Sequence, residues 1–372
     1  MTNEGRRKKA DEFYGMLEER NIDRVVFGNR EFDTWYGNAA YFYGTEHSIP
    51  GYEYANKVAN DPTFKRRKQQ PQQLQQNLQQ QSSSSHWISK LYVCNYCFKY
   101  TTNGSHMASH RDKCCYRVPR PTIGKMCYRD DDNHIVIRQI RGFKNPLFCQ
   151  NLSLFGKLFL EDKSVFYNVD NFDFYVIYGR DEQDTETKTK TRRSRRKSAR
   201  STNNVDLVDL VPLGFFSKEV LSWETQVNLA CICIFPIFQR RHLGSLLIEF
   251  LYELSKREYK QHISGPEYPL SPFGKVTYLR YWSKKLASIL VNYSHSHSHS
   301  PKPNITLDEL SELSCFRKED ILLTMDYMQL LTKDMESDII TLHLGNVEYW
   351  CKSIGWDPMS YRSLLNVDNL VI

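Results

Sequence analysis

Two groups of residues in this chain have the types and spacing for chemistry. The first is Cys94, Cys97, His110 and Cys114. Two residues separate the first cysteines, twelve more precede the histidine, and three more precede the last cysteine. Cys-x2-Cys-x12-His-x3-Cys is a finger spacing, in which a thiolate knuckle faces a second pair one helical turn apart. Three thiolates and an imidazole suit a closed tetrahedral zinc site that serves structure and leaves no coordination position for catalysis. His106 and Cys115 are rival ligands with less regular spacing. The intervening segment is only mildly basic, which favours a structural finger over one that grips DNA.

The second group lies in "PIFQRRHLGSLLIE" (236–249). Upstream, "VNLACICIF" (227–235) puts Val227, Leu229, Cys231, Cys233 and Phe235 on one face at period two, the pattern of a strand. Downstream, Leu243, Leu246, Leu247, Phe250, Leu251 and Leu254 form a helical stripe, with Glu249 and Glu253 off it. A strand thus feeds a helix across Gln239, Arg240, Arg241 and His242. The unpaired N–H groups at the start of such a helix form a ready anion site, and the two arginines add charge. Many strand–helix turns bind nothing, so the turn alone does not specify a ligand.

The elements that must hold these groups come in blocks. "FYVIYG" (174–179) and "LVPLGFFSKE" (210–219) read as strands joined by an oversized loop, as an insertion at a hairpin tip would give. After Pro303, "LDELSELS" and "RKEDILLTMDYMQLLT" read as helices, with Asp308 and Asp320 as helix-start residues. Three tracts have too few apolar side chains to pack: the Gln/Ser run 69–85, residues 181–206, and "SHSHSHSPKP" at 294–303. The three alternating histidines of the last read as linker.

Charge is concentrated. The net charge is +7, and the run "KTKTRRSRRKSAR" (188–200) alone carries eight Lys or Arg and no acid. Without it the chain is within one charge of neutrality, so the basic run is a nuclear-import signal, a nucleic-acid contact or a solvated loop, import being the leading reading. No apolar run reaches the roughly 18–20 residues that span a bilayer. The N-terminus "MTNEGRRKKADEF" lacks the apolar segment of a secretory signal, so a soluble intracellular protein is expected. In a reducing compartment the ten cysteines are metal ligands or small buried apolar residues before they are disulfides.

Several long stretches resemble the MYST histone acetyltransferases. They are "NLACICIFPIFQRRHLGSLLIEFLYELSKRE" (228–258), "SGPEYPLSPFGKVTYLRYWS" (264–283), "FCQNLSLFGKLFLEDKSVFYNVDNFDFYV" (148–176), "VVFGNREFDTWY" (25–36) and the finger. They occur in the family's order, and the form "SGPEYPLSPFG" is closest to its something-about-silencing branch. The resemblance implies an α+β fold: a GNAT-like acetyl-CoA core, an N-terminal β-rich segment carrying the zinc finger, and a C-terminal helical, winged-helix-like segment. It divides the chain into a flexible basic N-terminus (1–20), the first part of the acetyltransferase domain (21–68), a Gln/Ser insert (69–86) and the finger (87–120). The catalytic core (121–293) follows with the basic insert 181–206, then a Ser/His linker (294–303) and the helical segment (304–372).

The resemblance also implies roles. The family's acetyl-CoA signature, Gln/Arg-x-x-Gly-x-Gly/Ala, falls on Gln239, Arg240, Arg241, His242, Leu243 and Gly244, with Ser245 closing the loop. The backbone of Ile232, Cys233 and Ile234 would line the pantetheine arm, and Ser271 matches another coenzyme contact. At Arg280 relatives usually carry a small residue. Lys163 matches the self-acetylated lysine. Glu267 matches the general base, although read alone it is a solvated loop carboxylate between Pro266 and Pro269. Such a base has work to do, because only about 0.04% of a lysine with pKa near 10.4 is neutral at pH 7. Cys231 matches a cysteine that either carries an acetyl group or packs beside the thioester. His242 stands where the family has glycine; histidine tolerates positive φ better than most residues and keeps its N–H.

The function implied is transfer of acetyl from acetyl-CoA to a lysine of a histone tail, histone H4 first, in chromatin silencing and transcription regulation in the nucleus. Accessory subunits of a chromatin-modifying complex, the nucleosome, and DNA through 188–200 are the expected partners, with no membrane. The alternative is a weak or inactive chromatin scaffold that keeps the fold and finger; the joint presence of Cys231, Glu267 and Ser271 favours the enzyme.

Overall fold

Strands concentrate in the first two thirds of the chain and helices in the last third, the segregation expected of an α+β protein. The computed structural model describes residues 16–17, 20–38, 40–41, 87–160, 168–181, 210–220, 226–258, 263–296, 305–333, 340–342 and 344–372. The Gln/Ser insert 69–86, the basic run 188–200, Lys163 and all of the Ser/His tract beyond Ser296 lie outside the described residues, as does most of the N-terminus 1–20.

In chain order the elements begin with β1 (Ile22–Phe27), β2 (Arg30–Asp33), β3 (Ile88–Val93), β4 (Tyr100–Thr101), α1 (Gly104–Asp112), β5 (Lys125–Asp130) and β6 (Ile135–Arg141). Then come α2 (Pro146–Gly156), β7 (Phe172–Gly179), β8 (Val211–Glu219), β9 (Val227–Leu229), β10 (Cys231–Ile234), α3 (Leu243–Glu258) and β11 (Gly265–Pro266). The chain ends with α4 (Pro272–Ser296), α5 (Leu307–Ser314), α6 (Lys318–Tyr327), β12 (Leu331–Lys333), β13 (Ile340–Leu342) and α7 (Leu344–Ser353). One five-stranded sheet has the order β10-β8-β7-β6-β5, and a four-stranded sheet has the order β2-β1-β3-β4. The two expected strands 174–179 and 210–219 are thus neighbours, as β7 and β8.

Two compact units are distinguished. The first comprises Met1–Lys125, Asp131–Phe215 and Cys233–Phe238. In its four-stranded sheet β1 pairs antiparallel with β2 and parallel with β3. Its core is aromatic: Phe27, Phe98, Phe155 and Phe235 are each at most 2% exposed. Ring centroids of Phe155 lie 4.9 Å from those of both Phe27 and Phe235. Edge and offset contacts of this kind contribute about 0.5–1.5 kcal/mol each beyond the area they bury. Gly214 of β8 matters by its lack of a side chain. A Cβ there would lie 2.4 Å from the Cys233 carbonyl oxygen and 2.9 Å from the Ile234 Cα, so only glycine lets the strand carrying Cys233 and Ile234 come this close.

The second unit comprises Met126–Asp130, Phe216–Ile232 and Gln239–Ile372. All six residues of the expected stripe on α3 are at most 8% exposed. Glu249, expected on the open face, is instead buried; its carboxylate accepts hydrogen bonds from the N–H groups of Leu364 (2.8 Å) and Leu365 (3.2 Å). Residues 272–296 form the long helix α4, so Ser294, His295 and Ser296, read as the start of a linker, are its last turn. The helix-start reading also needs adjustment. Thr306 caps α5 through a reciprocal capping box with Glu309, and Arg317 is the N-cap of α6; Asp308 and Asp320 sit inside the first turns.

The single strand expected over 227–235 is two strands. The ladder breaks at Ala230, whose N–H donates to the Ser217 carbonyl at 2.9 Å. Before the break β9 pairs parallel with β11; after it β10 joins β8. The period-two pattern is interrupted accordingly, with Asn228 buried beside Leu229. Its Nδ2 donates to the Ser264 hydroxyl at 2.8 Å, which a buried amide needs to avoid a large desolvation cost.

Candidate functional site

The metal group forms where β3 runs into a tight knuckle. The Phe98 N–H donates to the Cys94 carbonyl at 2.9 Å, with Phe98 in the left-handed region at φ 63°. Asn103 then caps α1, its side chain accepting from the N–H groups of Ser105 and His106. This sets His110 in the last turn of the helix and Cys114 just past its end. The four ligand atoms of Cys94, Cys97, His110 and Cys114 lie within 4.8 Å of one another.

The Cys94 and Cys114 sulfurs are 3.9 Å apart, and the Cys97 sulfur is 3.2 Å from His110 Nε2. A tetrahedral zinc with bonds of about 2.3 Å to sulfur asks for edges of about 3.8 Å, so the donor set fits zinc with little adjustment. The Cys94 thiol is drawn down to about 5, first by its hydrogen bond with Cys97, while Cys97 and Cys114 are pushed up. The rivals His106 and Cys115 are both exposed and outside the group.

The turn after β10 has the expected form. Residues Pro236–Phe238 make one 3-10 turn, and α3 begins at Leu243. Arg240 has φ 64° and His242 φ 58°, both left-handed. The His242 carbonyl accepts the Leu246 N–H at 3.0 Å, which makes His242 the residue that starts the helix. Leu243, Gly244 and Ser245 follow in the first turn, where N–H groups have no partner within the helix. Gln239, Arg240 and His242 are exposed, and Arg241, Gly244 and Ser245 are half-buried. The turn therefore offers amides, a helix dipole and cationic side chains to solvent, the equipment for a phosphate group.

A second loop converges on the strand before this turn. The Gly265 N–H donates to the Gln226 carbonyl, and the Glu267 N–H to the Leu229 carbonyl, both at 3.0 Å. The register sets Gly265 opposite Val227 and Pro266 opposite Leu229. Glu267 thus emerges from β11 two residues of β9–β10 away from Cys231. Its side chain is exposed, while Cys231 and Ile232 are half-buried. Strand β10 continues through Cys233, buried, and Ile234, half-buried.

Ser271 has a local duty that its sequence context signals: its hydroxyl accepts the Gly274 N–H at 3.2 Å, capping α4 ahead of Pro272. The hydroxyl retains its own O–H to donate. Arg280 lies exposed farther along α4.

Sequence reasoning missed what lies behind the Glu267 loop. Arg317, 7% exposed, donates through Nη2 to the Pro266 carbonyl at 2.8 Å and pairs with Asp320, which is fully buried. The Tyr268 hydroxyl donates to Asp320 at 2.8 Å. An Arg-x-x-Asp pair at a helix start has no local signature that tells a buried clamp from a solvated first turn.

Residues 121–362 match the profile of the MOZ/SAS family. The chain is 36% identical over 355 residues to "Histone acetyltransferase SAS2" of Saccharomyces cerevisiae, covering 94% of this chain and 85% of that protein. It is 33% identical over 241 residues to "Histone acetyltransferase mst1" of Schizosaccharomyces pombe, covering 65% of this chain and 43% of that protein. Against "Histone acetyltransferase MOF" of Drosophila melanogaster it is 30% identical over 310 residues, 83% of this chain and 28% of that protein. The chain therefore spans most of the first of these relatives and less than half of the other two.

Proposed function

The chain belongs to the MOZ/SAS family, the MYST acetyltransferases, and we propose from that premise that it transfers acetyl from acetyl-CoA to a lysine of a histone tail. The observation that carries this reading is the pair of loops on one backbone stretch. The strand break at Ala230 sends β9 to the loop of Glu267 and β10 to the turn of α3. A base and a phosphate-binding turn are what acetyl-CoA-dependent acetylation of an amine needs side by side.

In this reading the N–H groups of Leu243, Gly244 and Ser245, with the loop Gln239, Arg240, Arg241 and His242, hold the pyrophosphate. The backbone of Ile232, Cys233 and Ile234 runs along the pantetheine arm, and the Ser271 hydroxyl donates to the coenzyme. Glu267 takes the proton of the substrate ammonium as the amine attacks the thioester carbonyl. The C–N bond forms, the C–S bond breaks, and coenzyme A leaves as the thiol side product. Positioned general bases of this type contribute about 10²- to 10⁴-fold. Direct attack needs no acyl-enzyme, and Cys231 then packs beside the thioester. The Cys94, Cys97, His110 and Cys114 group holds a structural zinc, since all four positions are filled by protein.

We read the five-stranded sheet followed by α3 as a GNAT-like core. The succession α5, α6, β12, β13 and α7 reads as a winged-helix-like module. Lys163 is the self-acetylation site in this reading. The substrate we assign is the histone H4 tail, in the nucleus, with accessory subunits and a role in silencing; the run 188–200 acts in nuclear import.

A second reading rests on one observation, His242 in place of the signature glycine: a weak or inactive scaffold that keeps the fold and finger. Acetylation of histone H4 by the wild type and by Glu267→Gln separates the two. The enzyme loses most of its product on that change, whereas a scaffold makes none in either form.

A further inference from the structure

The loop that carries Glu267 is held from behind by a part of the chain some fifty residues later. Arg317 Nη2 donates to the Pro266 carbonyl at 2.8 Å, immediately before Glu267. The same guanidinium bonds Asp320 through Nε at 2.9 Å and Nη2 at 3.1 Å. Asp320 Oδ1 in turn accepts the Tyr268 hydroxyl at 2.8 Å, immediately after Glu267. The Arg317 guanidinium also stacks over the Tyr268 ring, 5.2 Å from its centroid. Upstream, the Ser264 N–H donates to the Cys315 carbonyl at 3.1 Å, and Ser264 forms an isolated bridge with Phe316.

The site is built for this contact. Asp320 is 0% exposed and Arg317 7%. Gly265 has no side chain because there is no room for one: a Cβ would lie 2.3 Å from Arg317 Nε and from Asp320 Oδ2. Burial and the adjoining carboxylate push the Tyr268 hydroxyl well above its ordinary range, so it stays a donor wherever the enzyme works. A buried ion pair costs desolvation that hydrophobic packing would avoid, and in some proteins such pairs serve to specify one geometry. Here the geometry specified is that of two residues flanking an exposed carboxylate.

We propose that Arg317 and Asp320 are positioning residues for Glu267, with Arg317 gripping the residue before it and Asp320, through Tyr268, the residue after it. The proposal rests on the reading of Glu267 as the general base. Arginine fits because its planar fork bonds the carboxylate through Nε and Nη2 and the Pro266 carbonyl through Nη2 in one fixed geometry, which the rotating point charge of a lysine ammonium does not reproduce. The clamp acts on the chemical step and leaves the α3 turn, and with it coenzyme binding, alone.

The test uses the full chain with acetyl-CoA and histone H4, comparing wild type, Tyr268→Phe, Arg317→Lys, Glu267→Gln and the double variant Tyr268→Phe/Glu267→Gln. Tyr268→Phe removes one hydroxyl from a side chain 44% exposed, so it reports even if Arg317→Lys does not fold. We expect kcat to fall about tenfold or more in Tyr268→Phe and further in Arg317→Lys, with the KM for acetyl-CoA within about twofold of wild type. In the Glu267→Gln background Tyr268→Phe should cost almost nothing more, because the clamp acts through Glu267. Wild-type kcat in Tyr268→Phe, or a full additional loss in the double variant, overturns the clamp. Wild-type kcat in Glu267→Gln overturns instead the general-base reading beneath it, so the two failures are distinct.

Discussion

The Glu267 N–H donates to the Leu229 carbonyl at 3.0 Å, and this one bond ties the exposed carboxylate to the strand that continues into Cys231. The same peptide donates its Ala230 N–H to Ser217 of β8, so its Leu229 carbonyl faces the opposite side, where Gly265 and Pro266 pair with β9.

His242 carries the strain of the turn proposed to hold the pyrophosphate. At φ 58° a non-glycine residue pays roughly 1 kcal/mol or more that glycine does not. His242→Gly should raise the thermal midpoint and bind acetyl-CoA at least as tightly, up to several-fold tighter, by calorimetry. His242→Val should do the reverse, since a β-branched residue resists that conformation. A large loss of affinity in His242→Gly would mean that the imidazole itself holds the coenzyme.

Gly214 sets the position of the strand proposed to line the pantetheine arm. In Gly214→Ala the new methyl meets the Cys233 carbonyl oxygen at 2.4 Å, and backbone has to move. We expect a loss of about 1–3 kcal/mol in denaturant unfolding, together with weakened acetyl-CoA binding. Unchanged affinity at reduced stability would show that the coenzyme does not depend on Cys233 and Ile234.

The proposed zinc site would make stability depend on metal and on acid. The ligands bind as thiolates; the hydrogen bond with Cys94 pushes Cys97 up and burial pushes Cys114 up, so protons compete with zinc as pH falls. Chelator treatment or acidification should release one zinc per chain and lower the thermal midpoint. Cys97→Ser should forfeit a large part of a binding free energy on the order of 10 kcal/mol. The released metal is measured with a chromophoric chelator. Activity should follow stability and not vanish ahead of it, as for a structural site.

Cys231 separates direct transfer from a two-step route. Direct attack predicts that Cys231→Ser keeps kcat within about tenfold and that no acetyl-enzyme accumulates when acetyl-CoA is mixed without histone. Trapped acetyl on Cys231, with ping-pong kinetics, would establish the covalent route.

Much of this was legible in the sequence where the signal is local. The finger residues share a fixed spacing and the stripe Leu243 to Leu254 shares a period, so both were readable: the four candidate ligand atoms lie together, and the stripe is buried. The left-handed His242 follows from a glycine position filled by another residue. What escaped is non-local. Glu249 looks like a solvated carboxylate until the N–H groups of Leu364 and Leu365 arrive from over a hundred residues away. The break at Ala230 is invisible in an alternating run, because what divides it is the pairing of Val227 and Leu229 with a distant loop. Arg317 and Asp320 belong to the same class.

The central claim is that Glu267 is the base for acetyl transfer to a histone lysine. The most direct measurement is the initial rate of histone H4 acetylation by wild type and Glu267→Gln at saturating acetyl-CoA, with coenzyme binding measured in parallel. A general-base role for Glu267 requires kcat to fall about a hundredfold or more in Glu267→Gln, with acetyl-CoA affinity unchanged. Equal rates from the two proteins would contradict it.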